Sequence, residues 1–157
     1  MLQIGDAVPA FELPCTDGTR VSNKTLKGQW SVLFFYPKDM TPGCTTENKD
    51  FSALVGAFGK AGAAVYGVSK DTLATHAKFS DKESLKVPLL ADPEKLAHRA
   101  FGVWGEKMMY GKTVEGTIRS TFLISPNGKI AFVWTKLKVA GHAEAVLEKM
   151  KELKSGS

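Results

Sequence analysis

Cys44 stands in the run Pro37-Lys38-Asp39-Met40-Thr41-Pro42-Gly43-Cys44-Thr45-Thr46-Glu47, directly after a stretch of apolar residues. Thr41 followed by Pro42 is the pattern of a helix start, a capping residue and then proline at the first helical position. Cys44 then falls in the first helical turn, where free backbone N–H groups and the positive end of the helix dipole favour a thiolate. A thiolate there is a nucleophile and a target for oxidation. The same cysteine also fits a small buried hydrophobe on the inner stripe of the helix, with Phe51, Leu54, Val55 and Phe58. Residue type and spacing leave both readings open. Three positions before Cys44 stands Thr41, so the Cys-x-x-Cys pair of dithiol exchange is absent.

Other chemistry is sparse. Cys15 is the other of 2 cysteines, and two thiols build no disulfide framework. His76, His98 and His142 are scattered and read as surface or capping residues. With the cysteines they show no metal-ligand spacing, so neither a metal nor another cofactor is expected. Phosphate-loop, Gly-x-Gly-x-x-Gly and Gly-x-Ser-x-Gly patterns are also missing. The 21 basic and 16 acidic residues give a net charge of +5. The basic residues are spread along the chain: Lys136 and Lys138 alternate, and Lys149, Lys151 and Lys154 sit beside Glu148 and Glu152. Without a clustered footprint, nucleic acid is not an expected partner. No apolar stretch approaches the ~18 residues of a membrane span. The start Met1-Leu2-Gln3-Ile4-Gly5-Asp6 has neither the basic segment nor the apolar core of a signal peptide. A soluble, cytoplasmic protein away from membranes is the expectation.

The chain has 157 residues, 43% of them hydrophobic. That is enough for one domain burying roughly two-thirds of its unfolded surface. One domain is expected over residues 1–154, with Ser155-Gly156-Ser157 as a frayed tail. Phe11-Glu12-Leu13 and Thr19-Arg20-Val21 flank an Asp17-Gly18 turn and predict an N-terminal hairpin. Ser31 to Tyr36 is a continuous apolar run ended by Pro37, as in a central strand buried on both faces. Ala63 to Val68 is a second such strand. Ser120–Ile124 and Ile130–Trp134, joined by Ser125-Pro126-Asn127-Gly128, predict another hairpin. Helices are expected from Pro42 to about Phe58, Leu73 to Ser80, Pro93 to Phe101 and Val139 to Leu153. Trp104 and Met108-Met109-Tyr110 read as loop packing or pocket wall. The order, with strand–helix–strand early and hairpin–helix late, is the thioredoxin-like α/β arrangement: a mixed central β-sheet flanked by helices, with an N-terminal β-hairpin. The carboxyl edge of such a sheet is where Cys44 falls.

Pro37, Thr41 and Cys44 together resemble the peroxiredoxin signature Pro-x-x-x-Thr-x-x-Cys. The wider run from Phe35 to Glu47 is similar to the bacterioferritin-comigratory, or Q-type, subfamily. The likeness covers nearly the whole chain, through Gly5-Asp6-x-x-Pro9-x-Phe11, Gly67-Val68-Ser69, Leu90-x-Asp92 and Arg119-Ser120-Thr121-Phe122-Leu123-Ile124. The resemblance implies a thiol-dependent peroxidase in antioxidant defence, reducing hydrogen peroxide and organic hydroperoxides. Cys44 would attack one peroxide oxygen and become a sulfenic acid. Thr41 would hold the peroxide and aim it at sulfur. Arg119 would favour the thiolate and stabilise the leaving oxygen. Pro37 would screen the sulfur from water, and Glu47 would orient Arg119 through a paired contact. Thioredoxin or a glutaredoxin-type protein would be the reductant, and the chain would act as a monomer.

The sequence departs from the family at the recycling step. Some members carry a resolving cysteine five residues after the first, where Lys49 stands, or in the helix after the second central strand, where Ser80 stands. Cys15, by the N-terminal hairpin, reads as a spectator. The other class of function compatible with these residues is a catalytically silent thioredoxin-fold binding module with a structural Cys44, which would consume no peroxide.

Overall fold

The Asp17-Gly18 turn closes the first hairpin, in which β1 (Glu12–Pro14) pairs antiparallel with β2 (Arg20–Ser22). Gly18 takes φ +88°, a left-handed conformation that costs glycine little. The computed structural model describes residues 1–156, apart from the side chains of Lys107 and Met109. After the hairpin come β3 (Trp30–Phe35), α1 (Pro42–Lys60), β4 (Ala63–Ser69), α2 (Leu73–Glu83), β5 (Leu89–Ala91) and α3 (Leu96–Phe101). The second half runs β6 (Trp104–Met109), β7 (Lys112–Thr117), β8 (Ser120–Ile124), β9 (Ile130–Thr135) and α4 (His142–Ser155).

Five strands form the central sheet in the order β5-β4-β3-β8-β9. β3, β4 and β5 run parallel, and β8 and β9 are antiparallel to their neighbours. Side chains alternate across a strand, so the apolar run of β3 feeds two cores. Val32 and Phe34 face α1, α2 and α4 through Phe51, Phe58, Phe79 and Val146. Leu33 and Phe35 face the N-terminal hairpin and α3 through Leu13, Val21 and Phe101. Helices therefore cover both faces of a mixed sheet, as the order of elements predicts.

Several boundaries differ from the sequence reading. α3 begins at Leu96 rather than Pro93, because Lys95 turns left-handed at φ 62° and Asp92 Oδ2 accepts the His98 N–H at 2.9 Å. α4 begins at His142 rather than Val139, after Gly141 at φ 75°. Ser155 closes α4 with its hydroxyl on the Lys151 carbonyl at 2.7 Å. The Gly156 N–H reaches the Glu152 carbonyl at 3.1 Å, so residues 155 and 156 belong to the helix and its cap rather than to a frayed tail. Ser157 lies outside the described residues.

Two features have no counterpart in the sequence reading. β5 is a three-residue strand at the sheet edge. β6 and β7 form a hairpin turning at Tyr110 (φ 54°) and Gly111 (φ 77°). Met108 and Tyr110 are not wall or packing residues: they are 69% and 97% exposed on that hairpin.

Candidate active site

α1 starts as its sequence dictates. Thr41 is extended at the N-cap and Pro42 occupies the first turn. The Thr41 hydroxyl does not cap the helix, however; it donates to the Lys38 carbonyl at 2.8 Å. Cys44 lies in the first turn with its side chain 1% exposed.

Arg119 comes from a distant part of the chain. In the antiparallel pairing of β3 and β8, Ser120 lies opposite Phe35, which brings Arg119 beside the segment leaving β3. Its Nη2 donates to Cys44 Sγ at 3.3 Å, and its Nη1 donates to Glu47 Oε1. Glu47 sits one turn after Cys44 on the same helix face and is buried. Its other oxygen, Oε2, has no hydrogen-bond partner. Burial pushes the Glu47 carboxyl up to about 7, against the opposing pull of Arg119. Burial also works against the Arg119 charge, but Glu47 and Cys44 outweigh it and hold the guanidinium above its ordinary range. A fixed cation thus faces the sulfur. Pro37 is half-buried, and with Arg119, Ile118, Leu137, Lys136 and Glu106 it lines a cavity of about 420 Å³.

The remaining candidates are not gathered here. Ser80 is on α2, its hydroxyl at the limit of hydrogen bonding to the Leu85 carbonyl, 3.5 Å. The segment that follows is tied to α1 by Ser52 Oγ, which accepts the N–H groups of Lys86 and Val87 at 3.1 Å each. Ser52 lies two turns beyond Cys44, roughly 12 Å along the helix axis. Cys15 is buried in the core on the opposite face of the sheet from Cys44. Burial raises its thiol to about 11, which suits a spectator.

The three histidines correct the sequence reading: none is a surface residue. His76 bonds Asp39 Oδ2 through Nδ1 at 2.7 Å and the Leu90 carbonyl through Nε2 at 2.8 Å. His98 bridges Asp92 at 2.7 Å and Thr117 at 2.9 Å. His142 meets the Thr121 hydroxyl at 2.7 Å, and burial, aided by nearby Arg119, lowers it to about 4. A lone histidine in sequence carries no signal of burial, since its partners come from other elements. Among the described residues, Asp39, Asp71 and His76 have atoms close enough to share a cation. Those side chains are instead hydrogen-bonded within the protein.

A thioredoxin-like sheet presenting a thiol at a helix start, paired with a guanidinium, is the arrangement of a thiol-dependent oxidoreductase. Comparison with known proteins narrows this class. Residues 4–133 match the AhpC/TSA family. Peroxiredoxin Bcp of Xanthomonas campestris is 50% identical over 143 residues, covering 90% of this chain and 89% of that one. Peroxiredoxin Bcp of Escherichia coli is 40% identical over 151 residues, covering 96% and 97%. A structure of X. campestris peroxiredoxin Q, 48% identical, superposes with a TM-score of 0.85 over 90% of both chains. The chain belongs to the AhpC/TSA family, as a peroxiredoxin of the bacterioferritin-comigratory, or Q, type. It is a thiol peroxidase, acting on peroxides with a thiol reductant. Two structures of the X. campestris protein each have a different cysteine replaced by serine, and those two cysteines are separated by the same number of residues as Cys44 and Ser80.

Proposed function

We propose that Cys44 is the peroxide-reducing thiol and that this chain completes its cycle with one cysteine of its own. The Cys44 thiolate attacks the near oxygen of the hydroperoxide. An S–O bond forms, the O–O bond breaks, and the far oxygen leaves as hydroxide or alkoxide and takes up a proton. An external thiol then attacks the sulfenic acid, releasing water and leaving a mixed disulfide. A second external thiol frees Cys44 and carries away the disulfide.

The observation that carries this reading is the double contact of Arg119 with Cys44 Sγ and Glu47. A cation at 3.3 Å from the sulfur meets the charge that develops on the departing oxygen. Thr41, half-buried at the N-cap, holds the peroxide. Pro37 walls the cavity beside Arg119, which offers room for the substituent of an organic hydroperoxide. Ser80 supplies no thiol, and Cys15 lies across the sheet, so the reductant is an outside protein of the thioredoxin or glutaredoxin type. A monomer suffices because every residue of the site comes from one chain, and unpaired thiols suit the cytoplasm.

Cys44→Ser tests the assignment. Rapid-mixing measurements should show no peroxide consumption by that variant and an unchanged peroxidatic step in Cys15→Ser. Rapid turnover by Cys44→Ser would overturn it.

A further inference from the structure

Residues 36–41 join β3 to α1 and carry both Pro37 and Thr41. Lys38 and Met40 are exposed, whereas Asp39 between them is 3% exposed and turned inward. Its Oδ1 accepts from the Tyr36 hydroxyl at 2.6 Å, and its Oδ2 meets His76 Nδ1 at 2.7 Å. His76 Nε2 faces the Leu90 carbonyl, which can only accept, so Nε2 is a donor. Asp39 is in this way locked to α2 and β5.

The backbone at Asp39 has its own anchor. Its N–H donates to Asp71 Oδ2 at 2.9 Å, and the same oxygen accepts from Ser69 Oγ at 2.5 Å. The other end of that peptide is the Lys38 carbonyl, which accepts from the Thr41 hydroxyl at 2.8 Å. The peptide is trans, so its C=O points away from its N–H. Asp71, the Lys38–Asp39 peptide and Thr41 therefore form one chain of hydrogen bonds in which each link orients and polarises the next. Met40 sits at φ 64°, an uncommon conformation for a bulky residue, between the two anchored positions.

We propose that Asp71 is a positioning residue for peroxide reduction. By holding the N–H end of the Lys38–Asp39 peptide, it fixes the Lys38 carbonyl, which takes the Thr41 hydroxyl proton. The Thr41 oxygen then presents only lone pairs to the O–H of the incoming hydroperoxide. Without that anchor the N–H end of the peptide loses its restraint, and the hydroxyl no longer offers a fixed acceptor. The inference rests on Thr41 being the group that holds the peroxide. Asp71 touches neither sulfur nor substrate.

The test compares two reactions of Cys44. Peroxide reduction needs both a thiolate and an aimed substrate, whereas alkylation by iodoacetamide needs the thiolate and no acceptor at Thr41. Asp71→Ala should lower the second-order peroxide rate by on the order of ten- to a hundredfold while leaving the alkylation rate unchanged. Asp71→Asn keeps an oxygen acceptor for the Asp39 N–H and should restore most of the peroxide rate. In a Thr41→Val background, already slow with peroxide, Asp71→Ala should cause no further loss. Should Asp71→Ala not fold, Ser69→Ala carries the same test: it removes the hydroxyl that orients Asp71 and should produce a smaller loss, again confined to peroxide. Equal losses in both reactions, or losses that add to those of Thr41→Val, would overturn the role of Asp71. A parental peroxide rate in Asp71→Ala beside a slow Thr41→Val would overturn it alone. A parental rate in Thr41→Val would remove the reading of Thr41 and this inference with it.

Discussion

The Arg119 guanidinium donates to Cys44 Sγ from Nη2 and to Glu47 from Nη1, so replacing it alters both groups. Arg119→Met keeps bulk but removes the cation that faces the sulfur and the leaving oxygen. The barrier to peroxide reduction should rise by about 2–4 kcal/mol, the usual cost of losing one preorganised donor. A second-order peroxide rate within threefold of the parent would show that the charge does not act on the reacting atoms. At Gly67 the decisive quantity is space. A Cβ there would lie 2.8 Å from Phe34 Cζ and 2.9 Å from Leu89 Cδ2, both fully buried. Gly67→Ala should therefore overpack the core and lower the unfolding free energy by about 1–3 kcal/mol, read from a denaturant midpoint.

α1 and α2 set how the oxidised sulfur can be reached. Cys44 is near one end of α1, while the segment after Ser80 is fastened to Ser52 two turns further on. A thiol introduced by Ser80→Cys can meet Cys44 only if the first turns of α1 unwind, and helix termini open at low free-energy cost. After one equivalent of peroxide, mass spectrometry of this variant should show the loss of two hydrogens. The parent should instead gain one oxygen and yield to a sulfenic-acid trap. A quantitative internal disulfide in the parent, or none in Ser80→Cys, would contradict this geometry.

Across the whole molecule, Glu47 on α1 and His142 on α4 both sit near Arg119, and their titrations oppose one another. Glu47 keeps its proton up to about 7 in the fold but loses it near the ordinary 4.5 when unfolded. Between those values the folded state binds more protons, so this group makes stability fall as pH rises. His142 is lowered from 6.5 to about 4. Across that window the unfolded state binds more protons, so this group makes stability fall as pH drops. The two contributions, each about 3 kcal/mol, largely cancel in the parent. Separating them should give opposite slopes. Urea unfolding of Glu47→Gln should show lower stability at pH 5 than at pH 7, and His142→Asn the reverse. Parallel slopes in the two variants would refute the assignment.

Short-range patterns in the sequence determined much of this protein. The apolar run ended by Pro37 made a central strand, Thr41-Pro42 began α1, and Asp17-Gly18 closed a hairpin, because each depends on backbone preferences within a few residues. Local pattern placed Cys44 in the first turn of α1 but left its role open, and Pro37 and Thr41 joined it as candidates through family likeness. Arg119 could be named through family likeness, but its distance to the sulfur follows only from the register of β8 against β3. Tertiary structure alone decided the rest. β5 is too short to declare itself, and Tyr110 turns a hairpin in a conformation its type does not advertise. The burial of His76, His98 and His142, the anchoring of Asp39 by Asp71, and the separation of Cys15 from Cys44 by the sheet all depend on elements remote in sequence. A polar side chain records its own hydrogen-bonding capacity, but which partner satisfies it is fixed only when strands and helices pack.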